Sequence, residues 1–291
     1  QTREEDVVTK LFLSSNHSYL LYFTDMGRVY RTKTYNIPEA GRTAKGTPVV
    51  NIIEKSPEEK ISEIIPVKEF SDNEYLVMVT KNGVIKKTPA SEYESIRKSG
   101  KIAITLKEGD ELISIFKTTG NDNIFLATRN GMAICFNEND ARAVGRTASG
   151  VKAIDLANGD YVVGAEPVRE DSKVLLVTDG GYGKCTDLTS FRIQHRGGKG
   201  LKAYKITEKT GNIIGISMVN DSEELIMVTS EGVVIRIRIK DIATTTGRIT
   251  QGVRLINLND GVIVVSMDKI SAEDTVEEES EENNTEVTAE T

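Results

Sequence analysis

The sequence has no tryptophan, two histidines and only two cysteines, Cys135 and Cys185. Two thiols are too few for a disulfide framework or for a cysteine-based zinc site, and they favour a reducing compartment. No apolar run approaches the roughly 18 residues that a membrane-spanning helix requires. Residues 1–6 lack the apolar core of a signal peptide. We therefore expect a cytoplasmic protein with no membrane partner.

Residues in a catalytic arrangement are also scarce. We find no phosphate-binding Walker loop, no paired-carboxylate motif and no Ser/His/Asp constellation. The two histidines are His17 and His195, and His17 is interpreted as a loop residue rather than a ligand. The sequence therefore predicts no catalytic site, no cofactor and no metal site in this chain.

The charge is unevenly distributed along the chain. The net charge is −7, but residues 271–291 contain nine acids and no lysine or arginine. Removing those nine from the 44 acids of the chain leaves 35 against 37 bases in residues 1–270. The acidic segment 271–291 is too polar to form a core, and we expect it to be a disordered tail.

A Thr-x-x-Gly motif recurs five times, and each copy lies between two short apolar runs. The motifs begin at Thr24, Thr80, Thr128, Thr178 and Thr229, which are 56, 48, 50 and 51 residues apart. This length between β-rich runs is typical of a β-hairpin, in which glycine adopts the positive φ of the turn.

Each repeat continues with a loop rich in glycine and arginine and then with further apolar runs. The loops end at Gly46, Gly100, Gly150, Gly200 and Gly252, and an aliphatic residue follows six positions later at Ile52, Leu106, Leu156, Ile206 and Leu258. The fourth runs are Ile61–Val67, Leu112–Phe116, Tyr161–Ala165, Ile213–Met218 and Val262–Met267. Four strands at a period near fifty predict an all-β fold of propeller-type blades. The alternative is a β-sandwich with accidental spacing.

These patterns give the expected domain organisation. Residues 19–270 form the repeat domain, with repeats at about 19–74, 75–122, 123–172, 173–223 and 224–270. Residues 1–18, which include the apolar run Val7–Leu13, are interpreted as the last strand of a truncated preceding blade.

Basic residues recur in phase with the repeat. Seven positions after the repeat threonines lie Arg31, Lys87, Cys135, Cys185 and Arg236, so the cysteines are interpreted as vacated basic positions. The other phased bases are Lys33, Lys86, Lys184 and Arg238 on strands, with Arg42, Lys45, Arg97, Lys98, Arg146, Lys152, Arg196, Lys199, Lys202, Arg248 and Arg254 in or beside the loops. Equivalent positions of successive blades share one rim, so we expect a basic belt that binds DNA phosphates. The alternative for any one residue is a solvated surface charge.

The fourth loop carries a specific resemblance. Gln194-His195-Arg196-Gly197-Gly198-Lys199-Gly200 resembles the GyrA box, Gln-Arg-Arg-Gly-Gly-Lys-Gly, of the C-terminal domain of the bacterial DNA gyrase A protein, and only His195 departs from it. Residues 37–46, 145–152, 181–184 and 247–254 are similar to other segments of that family, and the resemblance covers about residues 5–268. In such a loop, glycines allow backbone amides to approach phosphates closely.

The resemblance implies a β-pinwheel that wraps duplex DNA chirally and so supports ATP-dependent negative supercoiling by a type II topoisomerase. It implies the gyrase A N-terminal domain and the gyrase B subunit as partners in an A2B2 holoenzyme, associated with the bacterial nucleoid. The catalytic tyrosine and the ATPase lie in those other parts. The family's principal box lies in its first blade, so the box at 194–200 is expected to be a secondary one.

Two other functions remain open. One is the C-terminal domain of the topoisomerase IV A protein, a related DNA-binding module without strong wrapping. The other is a propeller scaffold for protein partners. The box-like loop and the acidic tail favour the gyrase family, and the phased bases favour DNA over a protein partner.

We predict that deleting residues 271–291 raises the affinity for duplex DNA at low salt. A tethered segment with nine acids competes with DNA for the basic belt at a high effective concentration. The difference shrinks as salt screens the tail. Both forms are titrated with the same duplex at two salt concentrations, and equal affinities at low salt would contradict the prediction.

Overall fold

The computed structural model describes residues 14–39 and 46–270. Within these ranges the secondary structure is almost entirely β, in twenty strands. They are β1 Tyr19–Thr24, β2 Arg28–Lys33, β3 Ile61–Val67, β4 Tyr75–Thr80, β5 Val84–Pro89, β6 Lys101–Ile102, β7 Leu112–Thr118, β8 Asn123–Thr128, β9 Met132–Asn137, β10 Val151–Lys152, β11 Val162–Pro167, β12 Lys173–Thr178, β13 Tyr182–Asp187, β14 Leu201–Lys202, β15 Ile213–Val219, β16 Glu224–Thr229, β17 Val234–Arg238, β18 Thr244–Thr245, β19 Val253–Arg254 and β20 Val264–Ile270.

The helices of the described residues are six short 3₁₀ turns. They are Thr34–Asn36, Val49–Asn51, Ala90–Tyr93, Glu138–Asp140, Leu188–Ser190 and Ile239–Asp241. None of these is long and apolar enough to span a membrane. The expectation of an all-β fold built from small antiparallel sheets at a period near fifty residues is confirmed.

The described chain divides into two units. Unit 1 comprises residues 14–39, 46–168 and 191–203, and unit 2 comprises residues 169–190 and 204–270. Unit 1 contains three four-stranded sheets with the orders β3-β1-β2-β6, β10-β5-β4-β7 and β11-β8-β9-β14. Unit 2 contains the sheet β15-β12-β13-β18, in which β19 also pairs with β13, and the three-stranded sheet β17-β16-β20.

The Thr-x-x-Gly motif forms the hairpin turn of every sheet, as predicted. In the first copy, Gly27 adopts a φ of 74° and its amide donates to the carbonyl of Thr24 at 3.0 Å. The Thr24 hydroxyl accepts from the Arg28 amide at 3.3 Å, and the other four threonines accept the equivalent amide at 3.1–3.2 Å. The threonine therefore closes the turn with both its backbone and its side chain.

In unit 1, the first strand of each hairpin is buried on both of its faces. Alternate residues of β4 pack in opposite directions: Leu76 and Met78 join the cluster around Phe23, whereas Val77 and Val79 join the cluster around Leu126. Because successive side chains of a strand point to opposite faces, a continuous apolar run fits a strand between two sheets. Each fully buried aliphatic side chain contributes roughly 1.5–3 kcal/mol.

Unit 2 has its own core on the same plan. Leu175 and Val177 of β12 pack with Leu225 and Met227 of β16, and Val264 of β20 completes the cluster. All five side chains are fully buried. The apolar runs identified in the sequence thus form the interior of this unit as well.

A short strand directly follows four of the closing glycines, Gly100, Gly150, Gly200 and Gly252, and it belongs to the preceding repeat, not to its own. Each is only two residues long: β6 pairs with β2, β10 with β5, β14 with β9 and β19 with β13. The sequence predicted four strands per repeat within one blade. Three of these sheets have four strands and the sheet with β19 has five, and in each the strand after the closing glycine comes from the next repeat. It pairs there because the outer edge of the second strand of each hairpin is the edge left open for pairing.

The repeat phase places Cys135 and Cys185 at the position of Arg31, Lys87 and Arg236, but the expectation that this position lies on an exposed basic rim is wrong for both cysteines. Cys135 is 5% exposed and Cys185 is fully buried. Burial raises the pKa of both thiols to about 11. In these two repeats both faces of the second strand are covered. A position on such a strand can therefore be buried even where the equivalent residue of another repeat is basic.

Some predicted features lie outside the described residues. They are Arg42 and Lys45, the run Val7–Leu13 and the acidic segment 271–291.

We predict that Cys135→Arg and Cys185→Arg each destabilise the protein by about 3–5 kcal/mol, since each places an unpaired charge in a covered site. The measurement is the free energy of unfolding in urea. Cys135→Ala and Cys185→Ala serve as controls and lose much less, because they bury no charge. Arginine variants as stable as the alanine ones would contradict the burial of these positions.

Candidate nucleic-acid interface

Four loops lie over the second strand of the preceding repeat and end in a glycine. We call them the glycine-closed loops, and they comprise residues 95–100, 145–150, 194–200 and 247–252. In the third, the Gln194 amide donates to the carbonyl of Cys135 at 2.8 Å where the loop begins. Where the loop ends, Leu201 and Lys202 pair with the start of the same strand. The loop therefore arches over the strand and is fixed at both ends.

The closing glycine is required by close approach of two backbones. Gly150 has a φ of 86° and Gly200 a φ of 74°, a region that favours glycine. A Cβ at either residue would collide with a backbone carbonyl oxygen of the preceding repeat, that of Ile85 or Ala133. Glycine at these positions therefore allows the backbone of the loop to lie directly against the backbone of the preceding repeat.

Arg196 anchors the loop 194–200. Its Nε donates to the backbone carbonyl of Asp140 at 2.8 Å, and its Nη1 donates to the carbonyl of Lys152 at 3.0 Å. Its backbone amide donates to Asp140 Oδ2 at 3.1 Å, and the next amide, of Gly197, donates to the carbonyl of Ala153 at 2.6 Å. The guanidinium that the sequence assigned to DNA is engaged with carbonyl oxygens of the protein itself.

The sequence analysis missed two carboxylates here: Asp140 bonds the loop directly, and Asp155 pairs with Lys152 beside it. Asp140 Oδ2 lies 3.3 Å from His195 Nδ1, in addition to its bond with the Arg196 amide. Asp155 Oδ1 accepts from Lys152 Nζ at 2.9 Å, and this hydrogen bond lowers the pKa of Asp155. In the sequence, the only indication of these two carboxylates is the presence of acids near a basic loop, and acids near bases are common on protein surfaces.

In unit 1, the loops 145–150 and 194–200 are joined by equivalent hydrogen bonds to the segment that follows the closing glycine of the previous loop. The Thr105 amide donates to the carbonyl of Ala148 at 3.3 Å, and the Asp155 amide donates to that of Gly198 at 2.9 Å. Each donor lies five residues after a closing glycine, and each acceptor lies two residues before the next one. In unit 2 the Lys205 amide makes the equivalent bond to Thr250 at 3.0 Å.

The loop arginines repeat the same link with their side chains. Arg146 Nη1 donates to the carbonyl of Ile102, just as Arg196 Nη1 donates to that of Lys152. Both arginines lie four residues before a closing glycine, and both acceptors lie two residues after the previous one. Each of these two arginines thus links its loop to the short strand that follows the previous loop in unit 1.

The exposure of the predicted DNA-binding residues falls into three groups. Exposed residues are Arg97, Lys98, Lys152, His195, Gly198, Lys199, Lys202, Arg236, Arg238 and Arg254. Half-buried residues are Arg31, Lys33, Arg146, Gln194, Arg196, Gly197, Gly200 and Arg248. Buried residues are Lys86, Lys87 and Lys184.

The three buried lysines are corrections to the predicted belt. Lys86 Nζ contacts backbone carbonyls, and so does Lys184 Nζ. Lys87 Nζ forms an ion pair with the buried Glu138 at 3.1 Å and lies 4.6 Å from the ring centre of Tyr75. Strands covered on both faces leave no outlet for these side chains, so they do not contribute to an exposed surface.

In unit 2, several of the predicted bases pair locally. Arg236 forms an ion pair with Glu224 in the adjacent strand, and Arg238 Nε bonds Asp241 at 2.8 Å. Arg254 donates to the Tyr182 hydroxyl at 3.0 Å, and this bond lowers the pKa of Tyr182. Exposed ion pairs of this kind are each worth at most about 1 kcal/mol.

On the first hairpin of unit 1, two bases share one aromatic ring. The Arg31 guanidinium and Lys33 Nζ each lie 4.6 Å from the ring centre of Tyr19. Arg31 Nη1 also contacts the carbonyl of Glu94.

The first two residues of the loop 194–200, Gln194 and His195, differ in the exposure of their side chains. Gln194 Nε2 is buried and has no hydrogen-bond partner in the described part of the chain. The side chain of His195 is 98% exposed.

Comparison with known proteins agrees with the repeat and the loops. The sequence matches the family described as DNA gyrase C-terminal domain, beta-propeller, over residues 18–68, 74–119, 122–169, 172–220 and 223–271. It is 54% identical to the DNA gyrase A protein of Halalkalibacterium halodurans over 280 residues, 96% of this chain and 34% of that protein. It is 49% identical to the DNA gyrase A protein of Clostridium acetobutylicum over 286 residues, 98% of this chain and 34% of that protein.

Solved structures share the fold. A crystal structure of the C-terminal domain of DNA topoisomerase IV superposes with a TM-score of 0.83 at 29% identity, covering 89% of this chain and 80% of the other. A structure of a DNA gyrase A C-terminal domain superposes with a TM-score of 0.75 at 24% identity, covering 88% and 83%. The chain spans about a third of the length of the gyrase A proteins that it matches. By the family match over its five repeats and its identity to these relatives, the chain belongs to the family of DNA gyrase A C-terminal β-propeller domains.

Proposed function

We propose that the chain binds duplex DNA through its phosphates, without regard to base sequence, and wraps it along the glycine-closed loops. The observation that carries this proposal is the series of three such loops in unit 1, in which the loops 145–150 and 194–200 are each hydrogen-bonded to the segment that follows the previous loop. A linear series of loops from successive repeats gives a surface that a long polyanion can follow.

The exposed charges of that series suit phosphate rather than bases. Arg97 and Lys98 are exposed on the first loop, Lys152 beyond the second, and Lys199 and Lys202 on and beyond the third. Lysine acts as a flexible point charge, which matches the spread of phosphates along a backbone. Contacts of this kind release counterions and carry no base sequence information.

Bending DNA around the protein requires contacts at several points. A smooth bend of 40–90° costs on the order of 1–6 kcal/mol. Phosphate contacts distributed over successive loops offset that cost, whereas one basic patch would hold DNA without bending it. The repeated architecture therefore favours wrapping over simple adhesion.

The larger reaction belongs to the whole topoisomerase. In this proposal the domain holds a wrapped DNA segment, and ATP-dependent supercoiling is carried out by the N-terminal part of the gyrase A protein together with the gyrase B protein. These partners follow from the relatives that are named as gyrase A proteins. The likeness to a topoisomerase IV domain favours, as the second candidate, a DNA-binding module that bends DNA little.

Binding and wrapping are tested separately. We predict a gel shift of duplex DNA that weakens steeply with salt. We also predict that ligation of a nicked circle in the presence of the protein traps a change in linking number, because a chiral wrap fixes writhe. Binding without a change in linking number favours the topoisomerase IV type of function. No binding at low salt contradicts the proposal and favours a protein scaffold.

We predict that Lys199→Ala combined with Lys202→Ala weakens binding to all duplexes alike. The slope of log affinity against log salt falls by roughly 0.9 for each phosphate that the variant no longer neutralises. The matched control is Lys60→Ala with Lys68→Ala, which removes two exposed lysines that belong to none of the glycine-closed loops. An equal decrease in affinity for both double variants would show that net charge, not the loop, determines binding.

Arg196→Ala is expected to act by a different route. It removes the bonds to the carbonyls of Asp140 and Lys152, so the loop 194–200 loses its anchor. Hydrogen exchange of the amides in this loop should rise by about tenfold or more, the value of one charge-assisted hydrogen bond. Lys199→Ala should leave that exchange unchanged.

A further inference from the structure

One buried position lies beneath each glycine-closed loop. It is the sixth residue after the repeat threonine, and the four residues are Tyr30, Lys86, Ile134 and Lys184. All four are at most 2% exposed. Tyr30 and Ile134 fill the space beneath the loops 95–100 and 194–200. Beneath the loops 145–150 and 247–252 the space is filled by the ammonium groups of Lys86 and Lys184.

The two ammonium groups bind the loops above them in the same way. Lys86 Nζ donates to the backbone carbonyls of Arg146 and Ala103. Lys184 Nζ donates to the carbonyl of Arg248, lies 3.4 Å from that of Gly247 and donates to Thr250 Oγ1 at 3.1 Å. In both cases the lysine holds the peptide of the arginine that lies four residues before the closing glycine.

Among residues 14–39 and 46–270, no carboxylate bonds either ammonium group, whose partners are carbonyl and hydroxyl oxygens. Lys86 is influenced by the like charge of Arg146 and, less strongly, by the opposite charge of Glu92. Tyr93 donates to the same Ala103 carbonyl at 3.3 Å. Burial lowers the pKa of Lys86 from 10.5 to about 7.

The surroundings of Lys184 are similar. It is influenced by the like charge of Arg248, and its Nζ lies 5.1 Å from the ring centre of Tyr204. Burial lowers the pKa of Lys184 from 10.5 to about 8. Both lysines therefore change charge close to neutral pH.

The fold does not require an ammonium group at this position. The loop 194–200 closes over Ile134, and its Gly198 lies against that side chain. A buried charge without a carboxylate partner is costly, so a lysine retained there for stability alone would be a poor choice. What the lysine adds over isoleucine is a fixed orientation of the arginine peptide and a positive charge directly beneath the loop.

We propose that Lys86 and Lys184 are positioning residues that hold the loops 145–150 and 247–252 in the conformation that contacts DNA phosphates. This inference rests on the proposed DNA binding. Hydrogen bonds from a charged donor are about twice as strong as those from a neutral one. The grip on the loops therefore weakens as the lysines lose their protons, and DNA affinity falls as the pH rises from 6.5 to 9.

Stability is expected to change in the opposite direction over the same range. The unfolded chain keeps these lysines protonated up to about 10.5, whereas the folded protein releases the protons near pH 7–8. Because the unfolded state then binds more protons, the free energy of unfolding increases with pH through this window. If the lysines had a purely structural role, DNA affinity would not decrease with rising pH while the stability of the protein increases.

The test uses Lys86→Met with Lys184→Met, and Lys60→Met with Lys68→Met as the control that removes two exposed lysines. The wild-type protein must first bind duplex DNA at pH 6.5 and low salt. If it does not, the proposed function fails and the role of the lysines is not the cause. The buried double variant should unfold at the same temperature as the wild type or higher, yet bind DNA about tenfold more weakly or worse. Its affinity should no longer decline between pH 6.5 and 9.

Two results would overturn the proposal. One is a folded buried variant whose affinity and pH profile match those of the control variant. The other is a wild-type affinity that stays flat between pH 6.5 and 9, a measurement that needs no variant and so holds even if the methionine variant fails to fold. Lys86→Ile alone, which copies the natural Ile134, gives a second folded variant for the same comparison.

Discussion

The structure depends on a two-residue β-pairing between one repeat and the next. When Val151 and Lys152 pair with the start of β5, they complete the sheet of the preceding repeat and fix the end of the loop 145–150. The close approach this requires explains the glycine at position 150, whose Cβ would meet the carbonyl of Ile85. Sheet completion, loop position and glycine placement are therefore one constraint, which recurs in both units. A substitution at the closing glycine affects all three at once.

The repeat and its strands could be predicted from the sequence because they are local. A Thr-x-x-Gly turn between apolar runs closes through bonds that reach only four residues, as in the bond from the Arg28 amide to Thr24. The exchange of the outer strand between repeats could not be predicted. A period of fifty residues shows which segments are equivalent, but it does not show which repeat's sheet each segment joins. By composition, Lys101 and Ile102 would pair equally well with the sheet of their own repeat or with that of the preceding one.

The burial of the lysines was unpredictable for a related reason. Lys86 and Lys152 are both phased lysines beside a glycine-closed loop, yet one is 1% exposed and the other is exposed. Alternation along a strand separates inside from outside only when one face is open. In β5 both faces and the outer edge are covered, so four consecutive residues, Ile85 to Thr88, are buried whatever their polarity. The cysteines of the other repeats follow the same rule.

The basic residues of the loops divide by chemistry into two tasks. Arg146 and Arg196 direct planar guanidinium groups at fixed carbonyl oxygens just beyond the previous loop, a use that rewards rigid donor geometry. Lys199 and Lys202 extend from the same loops and are exposed, a use that requires charge but no fixed direction. Both uses suit the proposed DNA binding, since a surface that holds DNA of any sequence needs a rigid frame for the loops and adaptable charges on top of it. Exchanging the arginines and the lysines would leave the net charge unchanged but would lose both the fixed donor geometry and the adaptable charges. The number of basic residues alone is therefore an incomplete description of this surface.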